Sequence, residues 1–253
     1  MKQIVTAFFM AWGMFWIVPC PVKWWDERAR IGMLLFLPVI GLLIGAVWAL
    51  CGAGLRALFP EGKGTLFLAG VMTAIPFVLS GFIHLDGYMD CADAVLSRRD
   101  LETRRKILKD SHVGSFAVIA LGLLFLLEFA VLGEGSLSGK KLWCLPFVCA
   151  SSRAWSTFAV LFFRPLPGSS YERMFSGGVP APVKAGAAVI LAVLAVLPVL
   201  LFGRCGLCAV VGMAGAALTV AYVRHDLGGM SGDVSGAGIT VGELCALTAL
   251  SFL

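Results

Sequence analysis

The composition of the 253-residue chain is that of a membrane protein. Hydrophobic residues make up 59% of it and charged residues only 14%, whereas a typical soluble domain has about 25% charged residues. The formal net charge of +5 does not indicate nucleic-acid binding, because the basic residues lie in short loops between apolar runs and not on one continuous face. The composition therefore excludes an ordinary soluble domain and makes membrane lipid an expected partner.

Apolar stretches long enough to span a membrane follow one another along the chain. Four of them lack charged residues and approach the roughly 20 residues that a helix needs to cross a bilayer: residues 31–55, 65–83, 185–203 and 205–223. Three more contain one charged residue each: residues 113–133, 142–163 and 234–253. An N-terminal stretch, residues 4–22, would be an eighth. The sequence therefore predicts an all-α, polytopic membrane protein with seven to eight transmembrane helices in one domain, residues 1–253.

Basic residues are divided unequally between the two sets of alternate loops. If all eight stretches cross the membrane, thirteen Lys and Arg residues lie on one side and six, including Lys63, on the other. The more basic side contains residues 23–30, 84–112, 164–184 and 224–233, and the positive-inside rule places it in the cytoplasm. The sequence thus predicts a multi-pass protein of the cell (inner) membrane whose active site faces the cytoplasm.

A cluster of acids follows the second uncharged stretch. Asp86, Asp90 and Asp93 are spaced i, i+4, i+7 and would share one face of a helix. This short segment contains no Lys or Arg, so the three carboxylates repel one another at a membrane boundary without a local counter-ion. Carboxylates suit hard cations such as Mg²⁺ or Mn²⁺, and Mg²⁺ commonly shares its coordination with substrate phosphates. The pattern predicts a metal site and a diphosphate-bearing substrate. The charged run that follows, residues 98–109, is interpreted as a solvated segment whose charges pair with one another.

A glycine-rich segment, residues 224–237, separates the last two predicted spans on the same side. Its sequence is R-H-D-L-G-G-M-S-G-D-V-S-G-A. Glycines allow close backbone approach, and N–H groups at the start of a helix suit phosphate, so Gly228, Gly229 and Gly232 are candidate substrate-binding residues. Asp233 would face the same compartment as the acidic helix. The segment is therefore a candidate for the second half of one site.

Two further polar residues have alternative interpretations. Arg153 lies within an apolar stretch, where it either has a functional role or forms a structural ion pair with Glu128 or Glu243. His84 is either a ligand or phosphate contact or simply a histidine at a helix end. The residues alone leave both alternatives open.

Four elements, in order along the chain, resemble the motifs of one enzyme family. Residues 36–45 are similar to F-x-P-x-x-G-x-x-I-G. His84, Asp86, Asp90 and Asp93, then Asp110, Ser111 and Gly114, match H-x-D-G-x-x-D-x-x-D-G followed by D-S-x-x-G, with Ala94 and Ala117 in place of family glycines. Arg153 falls where the family has an arginine, and residues 228–237 match G-G-x-T-G-D-x-x-G-A, with Ser231 in place of Thr. The chain resembles the cobalamin-5′-phosphate synthase family, also called adenosylcobinamide-GDP ribazoletransferase.

The resemblance implies a Mg²⁺-dependent transferase of late coenzyme B12 biosynthesis. Such an enzyme joins adenosylcobinamide-GDP to α-ribazole or its 5′-phosphate and releases GMP. Asp86, Asp90 and Asp93 would bind metal, and Asp110 or Asp233 would complete the metal shell or act as the base. His84 would contact phosphate or orient a carboxylate. Arg153, Gly228, Gly229, Ser231 and Gly232 would bind substrate.

Other enzymes and a transporter are the alternatives. Residues 90–98 approximate the D-x-x-D-G-x-x-A-R motif of CDP-alcohol phosphotransferases, but the remainder of that motif is missing. A membrane prenyltransferase would need a second Asp-rich motif. A transporter could use Arg153, Glu128 and Glu243 as a relay, but it would be expected to contain two related halves. The sequence leaves oligomerisation open.

Overall fold

The computed structural model describes residues 2–59, 64–134 and 137–253; Lys63, assigned above to the less basic side, lies outside them. The described residues form twelve α-helices and no strand, apart from one isolated bridge between Pro165 and Met230. The helices are α1 Lys2–Phe15, α2 Arg30–Met33, α3 Leu37–Leu58, α4 Thr65–Leu79, α5 Ile83–Leu96, α6 Leu101–Ile107, α7 Ser115–Glu134, α8 Leu145–Phe162, α9 Ser170–Met174, α10 Ala181–Phe202, α11 Leu207–Leu227 and α12 Gly232–Phe252. The all-α prediction is confirmed.

The number of membrane-spanning segments is smaller than expected. Within the described ranges, five helical segments are long and apolar enough to cross a membrane: Glu27–Leu58, Ser115–Glu134, Leu142–Phe162, Ala181–Leu227 and Gly232–Phe252. The number becomes six if α4 and α5, which meet at 94°, count as one broken span. Seven to eight transmembrane helices are thus not confirmed. The 14-residue α1 is only about 21 Å long, and two expected spans fall in the single 47-residue segment Ala181–Leu227.

The bend between α4 and α5 has a local backbone cause. Gly81 and Phe82 both adopt positive φ, 63° and 61°, which interrupts the helical path between Leu79 and Ile83. Glycine adopts this conformation readily, whereas an L side chain such as that of Phe82 is strained in it. The acidic helix α5 therefore turns away from the axis of α4.

Close packing of small residues joins the long helices. A Cβ added at Gly41 of α3 would lie 2.7 Å from the carbonyl oxygen of Cys149 in α8, and one added at Gly212 of α11 would lie 2.8 Å from the Cβ of Ala246 in α12. In a membrane, where lipid is as apolar as the helix surface, such close approach is a main source of helix association. Helix α12 also packs against α5 and α8, so it joins the acidic helix to the apolar bundle.

We predict that Gly41→Ala lowers the unfolding midpoint of the detergent-solubilised protein. The added methyl group must displace the backbone of α8, and overpacking of this kind costs roughly 1–3 kcal/mol, more than alanine gains in helix propensity. Gly54→Ala is the matched control in the same helix, because a Cβ there would meet no described atom within 4 Å. Equal midpoints for the two variants would contradict the packing of α3 on α8.

Candidate active site

The acidic helix α5 meets the start of α12 at glycines. A Cβ added at Gly87 would lie 2.8 Å from the Cα of Asp233, and one added at Gly236 would lie 2.8 Å from the carbonyl oxygen of His84. The hydroxyl of Thr240 donates to that same carbonyl at 3.3 Å. The two segments that the sequence analysis assigned to one site, although more than 130 residues apart in the chain, are therefore in direct contact.

Negative charge accumulates at this contact. Asp90 is half-buried and is repelled by Asp86, Asp233 and Asp93. Within the described part of the chain, none of these four carboxylates forms an ion pair. No three His, Cys, Asp or Glu side chains in that part lie close enough, as placed, to hold a metal ion. The donor chemistry and the uncompensated charge suit a divalent cation, and metal binding by Asp86, Asp90 and Asp93 stays a prediction.

Asp93 has a further role as the partner of α7. Its Oδ2 accepts a hydrogen bond from the backbone N–H of Gly114 at 2.6 Å, and its Oδ1 accepts one from the N–H of Ala117 at 2.9 Å. These N–H groups belong to the start of a helix and have no partner within the helix itself. A Cβ at Gly114 would lie 2.5 Å from Oδ1 of Asp93. The glycine of the D-S-x-x-G motif is therefore needed for the approach of this carboxylate.

Much of the glycine-rich segment is in close contact with other parts of the protein. Gly228, with φ of 82°, ends α11 beside the Arg105 side chain. A Cβ at Gly229 would lie 2.6 Å from the nitrogen of Leu166. The flanking backbone is paired, since Met230 donates to the Arg164 carbonyl at 2.9 Å and Leu166 donates to the Met230 carbonyl at 2.8 Å. A structural reason thus accounts for two of the predicted substrate-binding glycines.

Ser231, Gly232 and Asp233 lie at the start of α12, and Gly232 is the exposed one of the three. A Cβ at Gly232 would meet none of the described atoms within 4 Å. The Ser231 hydroxyl accepts from the N–H of Val234 at 3.3 Å, which caps α12, and donates to Oδ2 of Asp233 at 3.2 Å. Ser231 is buried, so its direct role is to orient Asp233. Substrate contact by Ser231 and Gly232 stays a prediction.

The basic segment after α5 binds the end of α11. Arg104 forms an ion pair with Asp226 at 2.9 Å and donates to the Asp226 carbonyl at 3.2 Å. Nε of Arg105 donates to the Leu227 carbonyl at 2.9 Å. Cations are stabilised at the C-terminal end of a helix, where carbonyl groups lack partners. The interpretation of residues 98–109 as solvated and paired among themselves is therefore wrong for Arg104 and Arg105. These two side chains attach the acidic segment to the glycine-rich one.

Asp110 lies in a different environment from the other aspartates. It is exposed, and its Oδ1 accepts from the N–H of His112 at 3.0 Å and lies 2.7 Å from Nδ1 of His112. The hydrogen bond with the His112 side chain holds the pKa of Asp110 below its ordinary value. These contacts are local, and the structure does not bring Asp110 to Asp90. The predicted role of Asp110 as base or metal ligand thus has no geometric support.

His84 and Arg153 are buried away from the acidic face. The His84 ring stacks on Phe15 with 6.0 Å between ring centroids, and its Nε2 has no hydrogen-bond partner among the described residues. Arg153 forms an ion pair with Glu243 and donates to the Cys149 carbonyl at 2.8 Å. Of the two alternatives for Arg153, the structure shows the ion pair, and the partner is Glu243. Substrate contact by Arg153 and a catalytic role for His84 stay predictions.

Tyr171 is a polar residue near the site that the sequence analysis missed. It lies in the short helix α9, and its ring stacks on Phe175 with 5.6 Å between centroids. Burial, with a smaller contribution from the nearby Asp233 carboxylate, raises the pKa of Tyr171 to about 12. Tyr171 therefore lies near enough to Asp233 to interact with it electrostatically. No motif marks Tyr171, because its position depends on the path of the loop that joins α8 to α10.

One family model covers nearly the whole chain, including both the acidic and the glycine-rich segments. The family model described as cobalamin-5-phosphate synthase matches residues 7–251. The chain belongs to the cobalamin-5-phosphate synthase family. Its contact between α5 and α12 therefore joins two motif segments within one member of this family.

Three relatives named adenosylcobinamide-GDP ribazoletransferase match along nearly their whole length. The protein of Clostridium perfringens (strain 13 / Type A) is 33% identical, and the match covers 100% of both chains. That of Clostridium botulinum (strain Alaska E43 / Type E3) is 32% identical over 98% of this chain and 97% of the relative. That of Escherichia coli O17:K52:H18 (strain UMN026 / ExPEC) is 32% identical over 94% and 98%. No solved structure matches the chain significantly.

The contact between Asp93 and α7 predicts a non-additive pair of substitutions. Gly114→Ala should displace the Asp93 carboxylate, and Asp93→Asn should remove one of its two acceptor oxygens, so each variant should lose about 1 kcal/mol of stability, the scale of a helix cap. Because both changes remove the same interaction, the double variant should lose less than the sum. Unfolding midpoints measure this cycle.

Gly122→Ala, also in α7, is the matched control, since a Cβ there meets nothing within 4 Å among the described atoms. Its unfolding midpoint should not fall. Strict additivity of Gly114→Ala and Asp93→Asn would show that Asp93 does not hold the start of α7.

Proposed function

We propose that this chain joins adenosylcobinamide-GDP to α-ribazole or its 5′-phosphate, giving adenosylcobalamin or its 5′-phosphate and releasing GMP, in late cobalamin biosynthesis. Membership of the family and the full-length relatives support this transferase activity. The observation in the structure that carries the proposal is the contact of Gly87 with Asp233. It brings the segment of Asp233 against the acidic helix, which supports a shared site for a reaction on a diphosphate.

The products define which bonds change. Because GMP leaves, the attacked phosphorus is the one that carries the cobinamide. A ribazole hydroxyl oxygen forms the new bond to this phosphorus, and the bond to the oxygen that bridges towards GMP breaks. GMP keeps that electron pair, and the hydroxyl proton passes to a base. In such a reaction the protein chiefly positions the groups, stabilises charge and removes the proton.

We assign roles to the site carboxylates on their surroundings. Asp86 and Asp90 would bind Mg²⁺ from α5, and Asp233 would complete the metal shell from α12. Asp93 would hold α7 and keep a lone pair on each oxygen for the metal. When bound, Mg²⁺ would neutralise the diphosphate charge and stabilise the leaving group. The Ser231 hydroxyl would orient Asp233 for this role.

The protein is a multi-pass membrane protein by its apolar helices. We further propose that it lies in the cytoplasmic membrane with this site facing the cytoplasm. The support is the excess of Lys and Arg in the loops that carry the site. The transporter alternative used Arg153 and Glu243 as part of a relay. Their buried ion pair explains both charges without a transport pathway.

The test is a Mg²⁺-dependent assay with purified protein in liposomes. Adenosylcobinamide-GDP and α-ribazole 5′-phosphate are supplied, and GMP and the corrinoid product are followed. Asp90→Asn should lower the rate by at least about 10²-fold, the scale of a catalytic group. Asp100→Asn is the matched control, because its carboxylate caps α6 through the N–H of Thr103 at 3.0 Å and lies outside the site.

Each outcome of this assay has one meaning. Product formed by wild type and by Asp100→Asn, with loss in Asp90→Asn, supports both the reaction and the site. Equal rates from all three proteins would keep the reaction and contradict the role of Asp90. No product from folded wild-type protein with both substrates and Mg²⁺ would contradict the proposed function.

A further inference from the structure

An apolar groove of about 450 Å³ runs along one side of α1, apart from the acidic site. One wall belongs to α1 and the other to the chain that follows it. The lining residues are Phe9, Met10, Gly13 and Met14 of α1, and Cys20, Val22, Lys23, Trp24 and Trp25 of the following chain. None of the site carboxylates is among them. The groove is therefore a separate feature, to which no role has been assigned above.

The groove forms because the chain after α1 folds back along that helix. The Trp24 ring meets the Phe9 ring edge to face, with 5.7 Å between centroids. One helical turn further along α1, a Cβ added at Gly13 would lie 3.8 Å from the Cβ of Cys20. Gly13 is exposed and has no side chain, so the space between α1 and the returning chain stays open at this level.

One end of the groove lies at the edge of the membrane. The first membrane-spanning segment begins at Glu27, just after the residues Lys23, Trp24 and Trp25. The side chain of Trp25 is 59% exposed although it is large and mostly apolar. Exposed tryptophans beside lysine are typical of the headgroup region, where their polar atoms meet water and their apolar parts meet lipid. The apolar groove therefore opens towards lipid headgroups at its Lys23 end.

The charge at this end of the groove is positive and unpaired. Lys23 is exposed and forms no ion pair within the described ranges. The two nearest acids along the chain have other partners. Asp26 accepts from the N–H of Arg28 at 2.9 Å, and Glu27 forms an ion pair with Arg30 at 2.7 Å. A free ammonium group at one end of an apolar groove suits a molecule with an anionic head and a hydrocarbon chain.

We propose that this groove binds one anionic phospholipid. The phosphate would lie against Lys23 with the headgroup beside Trp24 and Trp25, and an acyl chain would lie between Gly13 and Cys20. Since the bilayer is as apolar as the groove, burial of the chain alone gives no preference, and the selectivity comes from the shape of the groove and the charge of Lys23. The inference does not depend on the transferase reaction.

Lys23→Gln tests the headgroup contact. Delipidated protein in detergent is titrated with phosphatidylglycerol or with phosphatidylcholine of the same acyl chains, and native mass spectrometry measures binding of the first lipid. Wild type should prefer phosphatidylglycerol. Lys23→Gln should bind it about fivefold more weakly, the effect of one cation at an anionic lipid surface, whereas Lys23→Arg should bind it as wild type does. Lys2→Gln is the matched control, because Lys2 is also exposed but does not line the groove.

Gly13→Leu tests the position of the acyl chain by filling the groove. The Cβ of Cys20, at 3.8 Å, is the one described atom that a Cβ at Gly13 would meet within 4 Å, so the backbone accommodates the change and the side chain enters the groove. The variant should bind phosphatidylglycerol at least about tenfold more weakly. Gly54→Leu, where a Cβ meets no described atom within 4 Å, is the matched control and should bind as wild type does.

Either variant can overturn the proposal. Wild-type affinity for phosphatidylglycerol in folded Lys23→Gln or in folded Gly13→Leu would show that the lipid does not lie in this groove. Equal affinities of wild type for the two lipids would contradict the anionic selectivity. A wild-type dimer that Gly13→Leu separates, with lipid affinity unchanged, would show that the groove takes a second copy of the chain. If Gly13→Leu does not fold, the exposed change Lys23→Gln decides alone. All these measurements are made without substrate turnover.

Discussion

The close approach of α5 to α12 is the constraint on which the site depends. Gly87 and Gly236 let the two backbones meet, and any side chain at either position would separate Asp233 from Asp86 and Asp90. The contact brings like charges together, so the helices must be held by other interactions. Packing of α12 along α11 and α8 and the buried pair of Arg153 with Glu243 supply them. The remaining negative charge supports the proposal that a divalent cation binds there.

Several connections hold the polar segments on the helical bundle. Asp93 attaches α5 to the start of α7 through two backbone N–H groups, and Arg104 and Arg105 attach the following segment to the end of α11. The paired backbone of Leu166 and Met230 attaches the loop before α9. Each connection uses a helix end or a loop, where backbone groups lack partners. The same connections explain why glycine occupies positions 114 and 229, where a Cβ would meet Asp93 and Leu166.

The parts of the fold that follow from short-range patterns could be predicted from the sequence. Helical spacing is sufficient to place Asp86, Asp90 and Asp93 on one face, and hydropathy is sufficient for an all-α membrane protein. The span count could not be predicted, because hydropathy does not detect the bend at Gly81 and Phe82, the early end of α1 or the continuity of the segment Ala181–Leu227. The positions of Asp110 and Tyr171 depend on loop paths. The choice of Glu243 over Glu128 as the partner of Arg153 depends on the packing of α12 against α8.

The central claim is that carboxylates of α5 and α12 form one cation site, and Mn²⁺ binding followed by electron paramagnetic resonance tests it most directly. The account predicts that wild-type protein binds Mn²⁺ in competition with Mg²⁺. Asp90→Asn and Asp233→Asn should each weaken binding by about tenfold or more, the loss expected for one site group. Asp100→Asn should bind as wild type does. Wild-type Mn²⁺ affinity in folded Asp233→Asn would show that α12 contributes no ligand and would contradict the account.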